Sequence, residues 1–87
     1  MTEDRSTRLK RLRMRSMRRG IKEMDIILSR YADIRLTELD AAQLDTYDAL
    51  LSENDQDLYQ WVTGQVPPPS SFSALIADIS GMALASK

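Results

Sequence analysis

The pentapeptide Arg19-Gly20-Ile21-Lys22-Glu23 sets a guanidinium and a carboxylate on either side of a glycine. An arginine in such a place offers a planar fork of donors that matches a carboxylate or a phosphate. A glycine beside it lets a partner's backbone come close. If the segment were helical throughout, Arg19 and Glu23 would lie four residues apart on one face. Arg before Glu is the poorer order for an intrahelical pair, so little stability follows from it. The chemistry these residues suit is recognition, with Arg19 offered outward from an exposed, rigid knuckle. The plainer reading is a helix–glycine–helix turn with an incidental charge pair.

Bond-making chemistry lacks its usual residues. The 87-residue chain has no histidine and no cysteine. That removes the ordinary general base at neutral pH, the commonest metal ligand and the thiol nucleophile. It also removes disulfide staples and thiolate metal sites. Glu53, Asp55 and Asp57 cluster, but without the glycine and distal glutamate of a calcium loop. The expectation is a non-catalytic protein with no metal of its own.

Charge is sorted along the chain. Nine of the twelve basic residues fall between Arg5 and Lys22, whereas residues 31–87 hold nine acids against Arg35 and Lys87. A basic arm on an acidic body predicts electrostatic docking to an acidic protein partner. The alternative is a small nucleic-acid-associated regulator that uses the basic arm to release counterions from phosphates. No aromatic residue lies among the basic ones to stack on bases, and the pI of about 5.3 is wrong for a dedicated binder. No apolar run is long enough to cross a bilayer, and the acidic start Met1-Thr2-Glu3-Asp4 is unlike a signal or transit peptide.

The elements that must position these residues read as helices. A chain of this size forms one domain around one thin core. Residues 5–18 make a ragged amphipathic helix with Leu9, Leu12 and Ser16 on one side, and Gly20 serves as its left-handed terminator. A stripe of Ile21, Met24, Ile27, Leu28, Tyr31 and Ile34 predicts a second helix over 21–34, followed by a connector over 35–39. Asp40 and Gln43 form a capping box before a third helix carrying Leu44, Tyr47, Leu50 and Leu51. Asn54 or Asp55 caps a fourth helix over 56–63, where Asp55 and Asp57 complement the helix dipole and Trp61 anchors the core. After Pro67-Pro68-Pro69, Ser70 or Ser71 caps a fifth helix with Phe72, Leu75, Ile76, Ile79 and Met82 inward, fraying after Gly81. The reading is all-α: a single domain over residues 1–87, a five-helix bundle ordered from about 7 to 80 with flexible ends.

Two blocks of this chain resemble a known family. Arg18-Arg19-Gly20-Ile21-Lys22-Glu23-Met24-Asp25 is similar to its signature Arg-Gly-x-x-Glu. Leu50-Leu51, then Asp55-Gln56-Asp57-Leu58-Tyr59-Gln60-Trp61, resembles its second block. The family is the succinate dehydrogenase assembly factors, or flavinylation factors, of bacteria and mitochondria, and the chain looks like a bacterial-type member. The resemblance implies a five-helix bundle that binds the flavoprotein subunit of succinate dehydrogenase, and of fumarate reductase in bacteria. It implies that the helper promotes covalent FAD attachment to a histidine of that subunit. Carried over, Arg19, Gly20 and Glu23 are partner-binding positions, Arg18 and Asp25 support them, and Tyr59 and Trp61 pack. With no Gly-rich phosphate loop, the chain is expected to hold no FAD stably by itself. It is expected to be monomeric when free, without nucleic acid or membrane insertion, in the cytoplasm of a bacterium or the mitochondrial matrix of a eukaryote.

Overall fold

Helix starts in this chain are set by short polar side chains that accept the open amides of a first turn. The computed structural model describes residues 3–85. Asp4 caps α1 (Arg5–Arg15), accepting from the Thr7 amide at 2.7 Å. The Asp40 carboxylate takes the Gln43 amide at 2.8 Å, and the Gln43 side chain takes the Asp40 amide at 2.9 Å. This is the expected capping box, and it starts α3 (Ala41–Leu51). Asn54 caps α4 (Asp55–Val62) through the Gln56 amide. By contrast, α2 (Lys22–Arg35) starts from Ile21, which has no side-chain acceptor to give. Ahead of α5 (Ser73–Ala85), Ser70–Phe72 form a 3-10 turn entered from extended Pro69. That turn replaces the cap expected of Ser70 or Ser71, because the tri-proline segment delivers the chain straight into it.

All regular elements among the described residues are helical, and they enclose one core. Tyr31 and Tyr47 occupy its centre, almost wholly buried, with ring centroids 5.7 Å apart. Leu44, Leu50 and Leu51 join them from α3, as the spacing predicts. Trp61 sits at the edge of the core, partly buried against Phe72 at 6.0 Å between centroids. No helix among the described residues is long and apolar enough to cross a membrane.

Three expectations shift. The α2 stripe stops at Tyr31 and Ala32, and Ile34 is 55% exposed. The chain then tightens into a 3-10 turn over Leu36–Glu38. At three residues per turn, Leu36 and Leu39 fall on the same side, and both are buried. At the other end α5 continues through Gly81 to Ala85. The expected loss of order outside 7–80 falls partly on residues 1–2 and 86–87, which lie outside the described residues.

The basic arm is the largest departure. Arg5 donates to the carbonyls of Thr37 and Leu39, each at 2.9 Å. Arg8 pairs with Asp45 at 2.5 Å, and Arg11 with Asp48 at 3.0 Å and with Glu3. Arg15 pairs with Asp48 and reaches Ser52 at 3.0 Å. Arg8, Arg11 and Arg15 recur at helical spacing toward Asp45 and Asp48, themselves three apart on α3. Much of the charge separation seen along the sequence is therefore satisfied inside the molecule. Lys10, Arg18, Lys22 and Arg30 carry no ion pair among the described residues.

Candidate functional site: a braced corner between α1 and α2

The corner begins where α1 ends. Ser16 is fully buried; its hydroxyl donates to the Leu12 carbonyl at 2.8 Å and lies 2.5 Å from the Tyr47 hydroxyl. Burial pushes the Tyr47 phenol up to about 12, so this junction stays uncharged at neutral pH. Two residues on, Arg18 has φ +56°. A side chain in that region costs about 1–2 kcal/mol, so surrounding contacts must hold it there. The left-handed position expected at Gly20 thus belongs to Arg18.

Arg19 and Asp55 supply the hold. The Arg19 guanidinium donates to the Arg15 carbonyl at 2.9 Å and to the Leu51 carbonyl at 3.1 Å. Those are the last residues of α1 and α3, where open carbonyls gather negative partial charge. Its Nε and Nη2 both approach Asp55 Oδ1, at 2.8 and 2.7 Å. The other oxygen, Oδ2, accepts the Gly20 amide at 2.5 Å. Asp55 is the first residue of α4, where a carboxylate also suits the helix dipole. One ion pair therefore ties the ends of α1 and α3 to the start of α4. Only 12% of the Arg19 side chain and 17% of the Asp55 side chain are exposed, so solvent screens the pair little.

Gly20 is crowded on one side. A Cβ there would stand 3.2 Å from Asp55 Oδ2, an oxygen already fixed by the Gly20 amide itself. Beyond it, the first turn of α2 has no side-chain cap, and its first main-chain bond runs from Asp25 N–H to the Ile21 carbonyl at 3.0 Å. Glu23 is exposed in that turn. Asp25 is half-buried and takes the Ser29 hydroxyl at 3.2 Å; the same hydroxyl lies 3.4 Å from the Ser16 carbonyl. The contact between α2 and the end of α1 is thus made by Ser29, whose hydroxyl Asp25 accepts within α2.

The candidate residues separate into two kinds. Arg18, Gly20 and Glu23 are exposed on the corner. Arg19 and Asp25 are half-buried, and Arg19 turns its fork inward: its Nε, Nη1 and Nη2 all have partners within the chain. Nor do Arg19 and Glu23 share a helical face, because the backbone from 16 to 21 is not helical. Asp55, read from sequence as a helix-dipole residue, is the missed member. Thirty-six residues separate it from Arg19, and no local pattern marks the pair.

Elsewhere, the Tyr31 hydroxyl donates to Asp78 at 2.7 Å and Arg35 reaches the same carboxylate at 2.9 Å, on the wall of a 420 Å³ open cleft. Burial raises the Tyr31 phenol well above its ordinary range. The carboxylates of Glu3 and Asp48 are lowered by hydrogen bonds from Arg11, and that of Asp4 by the Thr7 amide. A general acid working at neutral pH needs the opposite shift. No cluster of three or more acidic side chains placed to hold a metal ion occurs among the described residues.

Fold and corner together define a small helical bundle with a charged turn between α1 and α2 that is braced from α3 and α4. The chain belongs to the family described as the flavinator of succinate dehydrogenase, which it matches over residues 10–83. It is 48% identical over 66 residues to the mitochondrial succinate dehydrogenase assembly factor 2 of Aspergillus flavus, covering 76% of this chain and 22% of that protein. The protein of the same description from Meyerozyma guilliermondii is 49% identical over 61 residues, covering 70% of this chain and 45% of that one. That of Mycosarcoma maydis is 38% identical over 72 residues, covering 83% and 30%. The chain thus spans less than half the length of these curated relatives.

Proposed function

We propose that this protein is a non-catalytic assembly factor that binds the flavoprotein subunit of succinate dehydrogenase and promotes covalent attachment of FAD to a histidine there. The observation that carries the reading is the family match across residues 10–83, which takes in the whole braced corner. The chain has no histidine, so the acceptor belongs to the partner. Its own contribution is positioning: a rigid surface that orders the acceptor histidine against the flavin lowers the entropic cost of the step. Arg18, Glu23 and the Gly20 backbone form the contact surface, while Arg19 and Asp25 keep it in shape. The uncapped first turn of α2 adds open amide donors for an acceptor on the partner.

The same surface serves the flavoprotein subunit of fumarate reductase where that enzyme is present. The free protein is a monomer, holds no FAD stably and works in the compartment of its client, bacterial cytoplasm or mitochondrial matrix. Nucleic acid is not among its ligands, since Arg5, Arg8, Arg11 and Arg15 are spent on internal acceptors.

Reconstitution tests this directly. The flavoprotein subunit, FAD and the chain are mixed, and covalent flavin is read by fluorescence under denaturing conditions. Glu23→Ala and Arg18→Ala are expected to remain folded and to slow flavin incorporation at least tenfold. Incorporation at the same rate with and without the chain would overturn the reading.

A further inference from the structure

We infer that Asp55 is a positioning residue for the docking corner, acting on the partner only through the geometry it imposes on residues 18 to 23. The inference rests on reading that corner as the docking surface. Among the described residues, the amide of Gly20 is the one in the stretch 18 to 24 with a hydrogen-bond acceptor, and that acceptor is Asp55. Local main-chain bonding therefore does not fix this turn. Nor does intrinsic preference, because Arg18 sits at φ +56° without being glycine. What remains are tertiary contacts: Arg19 on the Arg15 and Leu51 carbonyls, Ile21 against the core, and the Asp55 carboxylate, which divides its oxygens, Oδ1 to Arg19 and Oδ2 to Gly20.

The division makes the brace specific. A carboxylate accepts on both oxygens, whereas an asparagine has one acceptor and one NH2 group. In Asp55→Asn, either Arg19 or the Gly20 amide must face a donor. The guanidinium keeps its contacts to Arg15 and Leu51, so α1 and α3 remain tied while the brace from α4 to the turn is weakened at Arg19 or at Gly20. Arg18 then relaxes from its left-handed conformation, and Arg18 and Glu23 no longer present one fixed arrangement. Partner affinity is thus set by a residue on α4 with no need to touch the partner.

The test uses the full chain and the flavoprotein subunit, with Asp55→Asn, Asp55→Ala, Glu23→Ala and Ile79→Val. Ile79 is a buried α5 residue outside the corner, and its variant controls for lost stability. In the free Asp55 variants, ¹⁵N relaxation is expected to show residues 18 to 22 newly mobile on the nanosecond scale, with the Gly20 amide proton moved upfield. Partner affinity is expected to fall at least tenfold in both Asp55 variants, while Ile79→Val binds within twofold of the parent. Wild-type order and shift at the corner in both Asp55 variants would overturn the inference whatever the partner does. So would unchanged affinity in those variants when Glu23→Ala weakens binding. If Glu23→Ala also binds normally, the docking reading is what has failed, and the relaxation data alone decide whether Asp55 orders the turn.

Discussion

The α1–α2 corner and the α4–α5 connection both end a helix and redirect the chain, and they do it by different physics. After α4 the turn is local. Gly64 takes φ +81°, with nothing within 4 Å of where a side chain would begin. The Gly64 amide reaches the Trp61 carbonyl, and those of Gln65 and Val66 reach the Gln60 carbonyl. Three prolines then extend the chain. After α1, by contrast, an arginine occupies the left-handed position and the nearby glycine makes room for a carboxylate from another helix. The first kind of turn can form in a peptide; the second exists only once α4 has packed. A turn that depends on distant contacts can hold a strained arrangement, and strain of this kind concentrates at functional surfaces.

The largest effect should come from breaking the brace. Arg19→Ala or Asp55→Ala leaves the other charge partly buried without its counter-charge, at a cost of about 2–4 kcal/mol. Thermal unfolding followed by circular dichroism should show a fall of roughly 10–20 °C in Tm. A shift of only a degree or two would mean the corner is not held by this pair. The two glycines come next. Gly64→Ala should cost about 1–2 kcal/mol because the left-handed backbone is strained for any side chain, with no effect on partner binding. Gly20→Ala should cost about 1 kcal/mol, through the clash with the Asp55 oxygen rather than through backbone strain. Combined with Asp55→Ala, most of that cost should vanish, and a double-mutant cycle reads the coupling. Additivity of the two would mean that the Asp55 carboxylate does not crowd position 20.

Arg18→Gly probes the same contrast in the other direction. Removing the side chain relieves the positive φ and should raise stability by up to about 1 kcal/mol, while flavinylation falls with the lost cation. The smallest effect lies on the α1–α3 seam. Asp48 is lowered in the fold by Arg11, so it contributes stability above the ordinary carboxylate range, and that contribution is lost as pH falls through its depressed value. Tm should stay level from neutral pH down to about 5 and drop below about pH 4, with a shallower drop in Asp48→Asn.

Legibility in the sequence followed the distance between partners. The Asp40–Gln43 capping box was readable because both bonds close within three residues. So was the α3 stripe of Leu44, Tyr47, Leu50 and Leu51, since helical periodicity is a local property. The stripe of α2 misled at Ile34, because nothing local says that the helix tightens before Leu36 and hands burial to Leu36 and Leu39. The basic arm suggested an external partner, because Arg8, Arg11 and Arg15 meet Asp45 and Asp48 only across the packed α1–α3 seam.

Five helices, the caps of α3 and α4 and the lack of histidine are all legible in the sequence. Each of those follows from side-chain type and short-range spacing. Which way Arg19 faces, how closely Asp55 approaches position 20 and which arginines carry internal ion pairs emerge only in the packed fold. Those outcomes depend on where a carboxylate from a distant helix comes to rest, and that is fixed only when the core closes.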